Sequence, residues 1–209
     1  MRVLSIRNAK IQGFIDFCNQ RKIEYLYCII LLTGLLLGSI FSGKSTLSTF
    51  DFKIFFENFL YSRENSSFID VFINTLTSGF IYLLLCYFSG MFALGSVSNS
   101  LILIFKGATL GVLMGYSYLS YGLKGVIFAI IIILPSAFIT SITLIYSAKE
   151  SFILSHYFFR LFTNNLVLKN IRLEFKKYCI KFLVFFIFIL ISALIDASLT
   201  KLFWNVIDL

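Results

Sequence analysis

Residues 182–202 read FLVFFIFILISALIDASLTKL. At 1.5 Å per residue a helix of that length extends roughly 30 Å, the thickness of a bilayer's hydrocarbon core. The run is continuously apolar rather than alternating, so it reads as a spanning helix and not as a barrel strand. In lipid, a helix is the form that satisfies every backbone polar group within one segment. Four further runs answer the same description, at residues 25–42, 71–94, 98–119 and 126–148. The predicted fold is an all-α integral membrane protein, a five-transmembrane-helix bundle with short amphipathic interfacial helices. Composition agrees: 59% of the residues are apolar and 13% charged, with 26 Phe and a single Pro. A soluble domain carries about 25% charged residues. The chain's mean hydropathy of +0.92 excludes a soluble enzyme domain and a disordered tail alike.

Working outward from the spans, loop charge predicts the topology. The tail at residues 1–24 carries Arg2, Arg7, Lys10, Arg21 and Lys22. The segment 149–181 carries Lys149, Arg160, Lys169, Arg172, Lys176, Lys177 and Lys181. Together they hold twelve of the 18 basic residues. With five spans both fall on one side, which predicts a multi-pass protein with its N-terminus cytoplasmic and its C-terminus outside. Residues 25–209 form a single membrane domain. Its outside loop, 43–70, sets Lys44, Lys53 and Arg63 against Asp51, Glu57, Glu64 and Asp70. The net charge of +8 is thus a topology signal, and with no folded basic domain no nucleic acid is expected as a partner. The first span has a charged leader but no A-x-A site after it, so it reads as an uncleaved anchor. Cys28 and Cys86 fall in spans, and Cys18 and Cys179 on the cytoplasmic side, so no disulfide is expected. His156 is the lone histidine and no C-x-x-C spacing occurs, so no metal or other cofactor is expected.

Two stretches outside the spans carry helical periodicity. In the outside loop Ser48 and Asp51 have capping-box spacing, and Phe52, Phe55, Phe56 and Phe59 follow at helical intervals. This predicts an amphipathic helix that either covers the bundle or offers a docking surface to an external partner. In the cytoplasmic loop Leu154, Phe158, Leu161, Leu168, Ile171, Phe175 and Tyr178 keep steps of three, four or seven beside a basic stripe. Asn164 and Asn165 are predicted to divide it into two helices lying against lipid headgroups.

Within the spans, Gly107, Gly111 and Gly115 step by four, as do Gly34 and Gly38. Such stripes let helices approach closely, in a compact bundle or a homo-oligomer. Lys106 lies roughly 12 Å into the third span and Asp196 roughly 21 Å into the fifth. A buried charge there costs at least ~2.5 kcal/mol. The two form an ion pair, or Lys106 snorkels or faces a wet cavity while Asp196 reaches the outer interface. Pro135 removes a donor in mid-span and is expected to kink the fourth helix, with Ser136, Thr140 and Ser141 nearby to satisfy loose backbone groups. Asn74 is a candidate for a cross-helix hydrogen bond. Residues 38–45, GSIFSGKS, satisfy the P-loop pattern, but a spanning helix precedes them and the Lys faces outside, so nucleotide binding is rejected. No nucleophile–base set and no paired carboxylates are visible, so no intrinsic enzyme is expected.

The succession Phe105-Lys106-Gly107-Ala108-Thr109-Leu110-Gly111, then Gly115, then Gly122-Leu123-Lys124-Gly125 and Leu134-Pro135, resembles the stage II sporulation protein M family. Asn74 after Phe72 is similar to an Asn near that family's second span. Asp196-Ala197-Ser198-Leu199-Thr200 is similar to its acidic-Ala-x-x-Thr ending, with Asp in place of the usual Glu and Lys201 where a Pro is usual. The resemblance covers residues 55–200. It implies a non-enzymatic scaffold that recruits a membrane-anchored peptidoglycan amidase/endopeptidase and a lytic transglycosylase to the sporulation septum, where septal wall thinning permits engulfment. The alternative, motivated by Lys106, Asp196 and Pro135, is a permease-like subunit, with or without a separate ATPase. An odd number of spans and the absence of visible repeats weigh against a self-contained carrier.

Overall fold

The computed structural model describes residues 2–43, 59, 63, 67–92, 95–164 and 171–207, and side chains within 21–43, 59, 63, 67–92, 95–159 and 172–203. Every element among these is helical: α1 (Arg2–Gly43), α2 (Phe68–Ser89), α3 (Gly95–Phe128), a π-helical turn (Ala129–Ile133), α4 (Leu134–Asn164) and α5 (Ile171–Ile207). The surface is apolar, and a set of polar side chains is buried inside. Leu26, Ile29, Leu36, Phe105, Leu123, Phe138 and Leu183 are exposed, while Asn99, Ser117, Ser151, Ser192, Asp196 and Thr200 are fully buried. Water would penalise that arrangement, whereas lipid tails favour it.

Four helical stretches are long and apolar enough to cross a membrane: Arg21–Gly43, Phe68–Ser89, Gly95–Phe159 and Arg172–Phe203. The five apolar runs of the sequence therefore fall in four continuous stretches, because the third and fourth runs share one. That stretch of 65 residues would reach about 100 Å if straight. It folds back at Gly122, whose φ of 57° and ψ of −130° leave the helical region. An L side chain is disfavoured at such a φ, which is why a glycine stands there. The arms on either side lie antiparallel: a Cβ on Gly125 would overlap the Ser117 carbonyl, and Asn99 Nδ2 reaches Ser151 Oγ at 2.9 Å.

The glycine stripes of α1 and α3 face each other. Gly34 and Gly38 lie against the backbone at Ile104 and Ala108, and Gly107 and Gly111 against the carbonyls of Leu31 and Leu35. Gly115 meets Ser39 and Ser42. Both series ascend together, so α1 and α3 run parallel with their backbones in contact. On the other side α2 and α5 run antiparallel, with Gly79 against Ile189, Thr75 against Asp196, and Tyr87 stacked on Tyr178 at 5.3 Å. Lys149 pairs with Glu24 at 2.6 Å and Lys181 with Glu150 at 2.7 Å, tying α4 to α1 and α5 at one end of the bundle.

Two boundaries differ from expectation. The tail 1–24 and the first span form one 42-residue helix, α1. The basic segment 149–181 does not form separate interfacial helices but continues α4 to Asn164 and opens α5 from Ile171. No Gly or Pro interrupts 136–164, and once a helix is nucleated each further residue adds a hydrogen bond at little cost. The break expected at Asn164 and Asn165 adjoins residues 165–170, which lie outside the described residues. The capping box expected at Ser48 and Asp51 lies outside the described residues. One forms at the start of α2, where Asp70 Oδ2 accepts from the Ser67 amide at 2.9 Å and the Ser67 hydroxyl from the Asp70 amide at 3.3 Å.

Gly111→Ala should destabilise the protein by about 1–3 kcal/mol through overpacking of the α1–α3 contact. Gly43→Ala, where a Cβ meets nothing within 4 Å, should change stability by less than about 0.5 kcal/mol. Unfolding of both variants in detergent micelles checks the contrast.

Candidate functional site

Asp196 on α5 is fully buried, and its carboxylate gathers donors from three other segments. Arg63, from the chain between α1 and α2, approaches it side-on, Nη2 to Oδ2 at 2.7 Å and Nη1 to Oδ1 at 3.2 Å. The Thr75 hydroxyl on α2 donates to Oδ2 at 2.6 Å. The Ser136 hydroxyl on α4 lies 3.1 Å from Oδ1 and equally far from the Ile133 carbonyl, so its one proton serves either. One turn along α5, Thr200 accepts from Arg63 Nη1 at 2.9 Å and gives its own proton to the Asp196 carbonyl at 2.8 Å. Below the guanidinium sits the Phe59 ring, its centroid 4.3 Å from the Arg63 Cζ. Residues 59 and 63 are both helical, and a spacing of four puts their side chains on one face.

A carboxylate and a guanidinium taken out of water together are tolerable when the geometry is bidentate and the remaining lone pairs are filled. Both conditions hold, and Arg63 is itself buried, at 8% exposure. Removing one partner strands the other charge, which costs about 3–5 kcal/mol.

Pro135 explains why Ser136 is in place. The expected kink takes the form of the π-helical turn Ala129–Ile133, in which the Leu134 amide bonds to the Ala129 carbonyl, five residues back. A π turn makes room ahead of a residue that has no N–H and crowds the carbonyl four before it. Ser136 then also takes the Ser192 hydroxyl on its carbonyl at 2.8 Å, so α4 and α5 are bonded twice at this level.

Beside this knot lies a cavity of about 360 Å³, bounded by α2, α3, α4 and the Arg63–Asp196 pair. Lys106 lines it and makes no ion pair with Asp196. Arg63, Thr75 and Ser136 already occupy the carboxylate, and the Lys106 ammonium rests 5.0 Å from the centroid of the Tyr82 ring. Asp196 is completely buried within the bundle. Asn74 makes no cross-helix hydrogen bond among the described residues; it is exposed and lines the cavity. Gly34, Gly38, Gly107, Gly111 and Gly115 lie in the α1–α3 contact, away from the pair. Phe59 turns into the bundle, and Phe52, Phe55 and Phe56 lie outside the described residues. Arg63 is the residue that sequence reasoning missed, having counted it only as loop charge. Two signals could have found it: the Phe59-x-x-x-Arg63 spacing, and the need of an intramembrane carboxylate for a fork of donors that Lys does not have.

Arg63→Met and Asp196→Asn should each lower stability by about 3–5 kcal/mol, while the double variant should lose clearly less than their sum. A double-mutant cycle of unfolding in detergent measures the coupling, and strict additivity would show that the pair contributes none.

Both Arg63 and Asp196 lie inside the region matched by a protein-family model. The model described as Stage II sporulation protein M covers residues 27–201. Searches of curated proteins and of solved structures return no match. The match spans most of the chain, and the chain therefore belongs to the stage II sporulation protein M family, as a sporulation-related membrane protein.

Proposed function

We propose that this protein is a non-enzymatic scaffold that recruits peptidoglycan hydrolases, a membrane-anchored amidase/endopeptidase and a lytic transglycosylase, to the sporulation septum. There they thin the septal wall so that engulfment can proceed. The observation that carries this reading is the family match over residues 27–201. The chemistry of the pair is in keeping with it. The Asp196 carboxylate is occupied by Arg63, Thr75 and Ser136, which suits a structural clamp better than a proton or ion relay. The proposed topology has five passes, the reversal at Gly122 dividing the longest helical stretch into two, with the N-terminus cytoplasmic and the C-terminus outside. In that orientation Arg63 anchors the extracytoplasmic chain to the bundle. With Phe59 packed under Arg63, the docking role falls to Phe52, Phe55 and Phe56.

The second reading, a permease-like subunit, is favoured by one observation: the cavity beside the pair, with Lys106 in its wall. The two readings part in a single experiment. The tagged protein is purified from its host in mild detergent early in sporulation, and the co-purifying proteins are identified by mass spectrometry. The scaffold reading predicts cell-wall hydrolases, and their loss by at least tenfold on replacing Phe52, Phe55 and Phe56 by Ser in a protein that still inserts. A cytoplasmic ATPase without hydrolases would move the permease reading to first place.

A further inference from the structure

The cavity carries an unbalanced charge. Arg63 and Asp196 neutralise each other, and Lys106 makes no ion pair among the described residues; it lies against the Tyr82 ring, and the already paired Asp196 carboxylate acts on it only at longer range across the same cavity. An ammonium without an ion pair on an apolar helix, beside an unfilled space, is the complement of an anion. The walls match that chemistry. On α2, Asn74, Ser78 and Tyr82 recur every four residues and form one polar stripe along the cavity. Lys106 and Thr109, three apart, form the facing stripe on α3. Asn74 and Ser78 are exposed, on a helix whose neighbouring side chains Ile73 and Ile81 are exposed and apolar, as is Phe105 next to Lys106 on α3. The polar cleft is therefore flanked by lipid-facing side chains and is entered sideways, from the hydrocarbon. Deeper in, Val71, Leu110, Leu113 and Ile133 give it an apolar lining. A volume of about 360 Å³ is at the small end of ligand sites.

From these features we infer that the cleft between α2 and α3 binds the anionic phosphate group of a membrane lipid. Lys106 meets the charge, the Asn74 side-chain amide offers donors at the mouth, and the acyl chains remain in the bilayer beside Ile73 and Ile81. The inference is independent of the scaffold reading: it requires only that the cleft open onto lipid. A free phosphate shares the headgroup's charge but has no tail to hold in the hydrocarbon, and this difference separates the two sources.

The test uses the full-length protein in non-ionic detergent, with native mass spectrometry counting retained ligand. Three probes are added separately: dioctanoyl phosphatidylglycerol, dioctanoyl phosphatidylcholine and inorganic phosphate. The wild type should retain one phosphatidylglycerol at least tenfold more tightly than phosphatidylcholine. Lys106→Met should lose that preference while unfolding no earlier than the wild type, since it removes an uncompensated charge. Lys106→Arg should restore the preference, and Lys176→Gln, at an exposed position on α5, should leave it unchanged. Equal retention of phosphatidylglycerol by wild type and Lys106→Met would overturn the site. Displacement of the lipid by an equal concentration of inorganic phosphate would overturn the lipid as its occupant. If Lys106→Met unfolds too early to assay, Asn74→Leu must show a weakened preference, and an unchanged one would again overturn the proposal.

Discussion

A carboxylate with no exposed surface, on a helix rich in Phe, Leu and Ile, sets the main constraint on this structure. Left alone, Asp196 would lose its charge or pull its helix toward water. It is kept in place because three other segments converge on it: α2 through Thr75, α4 through Ser136, and the chain before α2 through Arg63. A buried ion pair is seldom worth more in free energy than well-packed apolar residues. What it supplies here is uniqueness. Slide any of the converging helices by one turn, and a full charge or a hydroxyl is left facing hydrocarbon.

The other half of the bundle is held by the opposite means. Between α1 and α3 the closest contacts are made by the backbone: glycines at steps of four bring backbone against backbone, where dispersion forces and weak carbonyl contacts act. The hairpin at Gly122 then carries α3 back into α4, and the π turn before Pro135 turns Ser136 onto the pair. The smooth contact on one side and the polar knot on the other leave the cleft with Lys106 between them. Helix packing thus shapes the cavity, and the pairing of Asp196 elsewhere gives it its charge.

Much of this was legible in the sequence. The spanning runs, the glycine stripes and the Pro135 distortion all follow from period, length and residue type, which are local properties. Less was legible where partners come from far along the chain. Lys106 came into view as one possible mate of Asp196 because both interrupt apolar runs, whereas Arg63 sits in a stretch whose mixed charges read as an ordinary loop. The hydroxyls that complete the site, Thr75 and Ser136, are of types too common in membrane helices to stand out. Helix ends were misjudged because a hydropathy boundary marks where lipid stops, and a helix that has begun need not stop there. The tail before the first span and the basic segment after the fourth both continue their helices past that point.

The central claim is that Asp196 holds the chain around residue 63 against the bundle. Hydrogen–deuterium exchange of peptides covering residues 59–75, compared between wild type and Asp196→Asn in the same detergent, tests it most directly. The account predicts that protection in these peptides falls by at least tenfold in the variant while the α1–α3 contact keeps its own. Unchanged protection across residues 59–75 would contradict it.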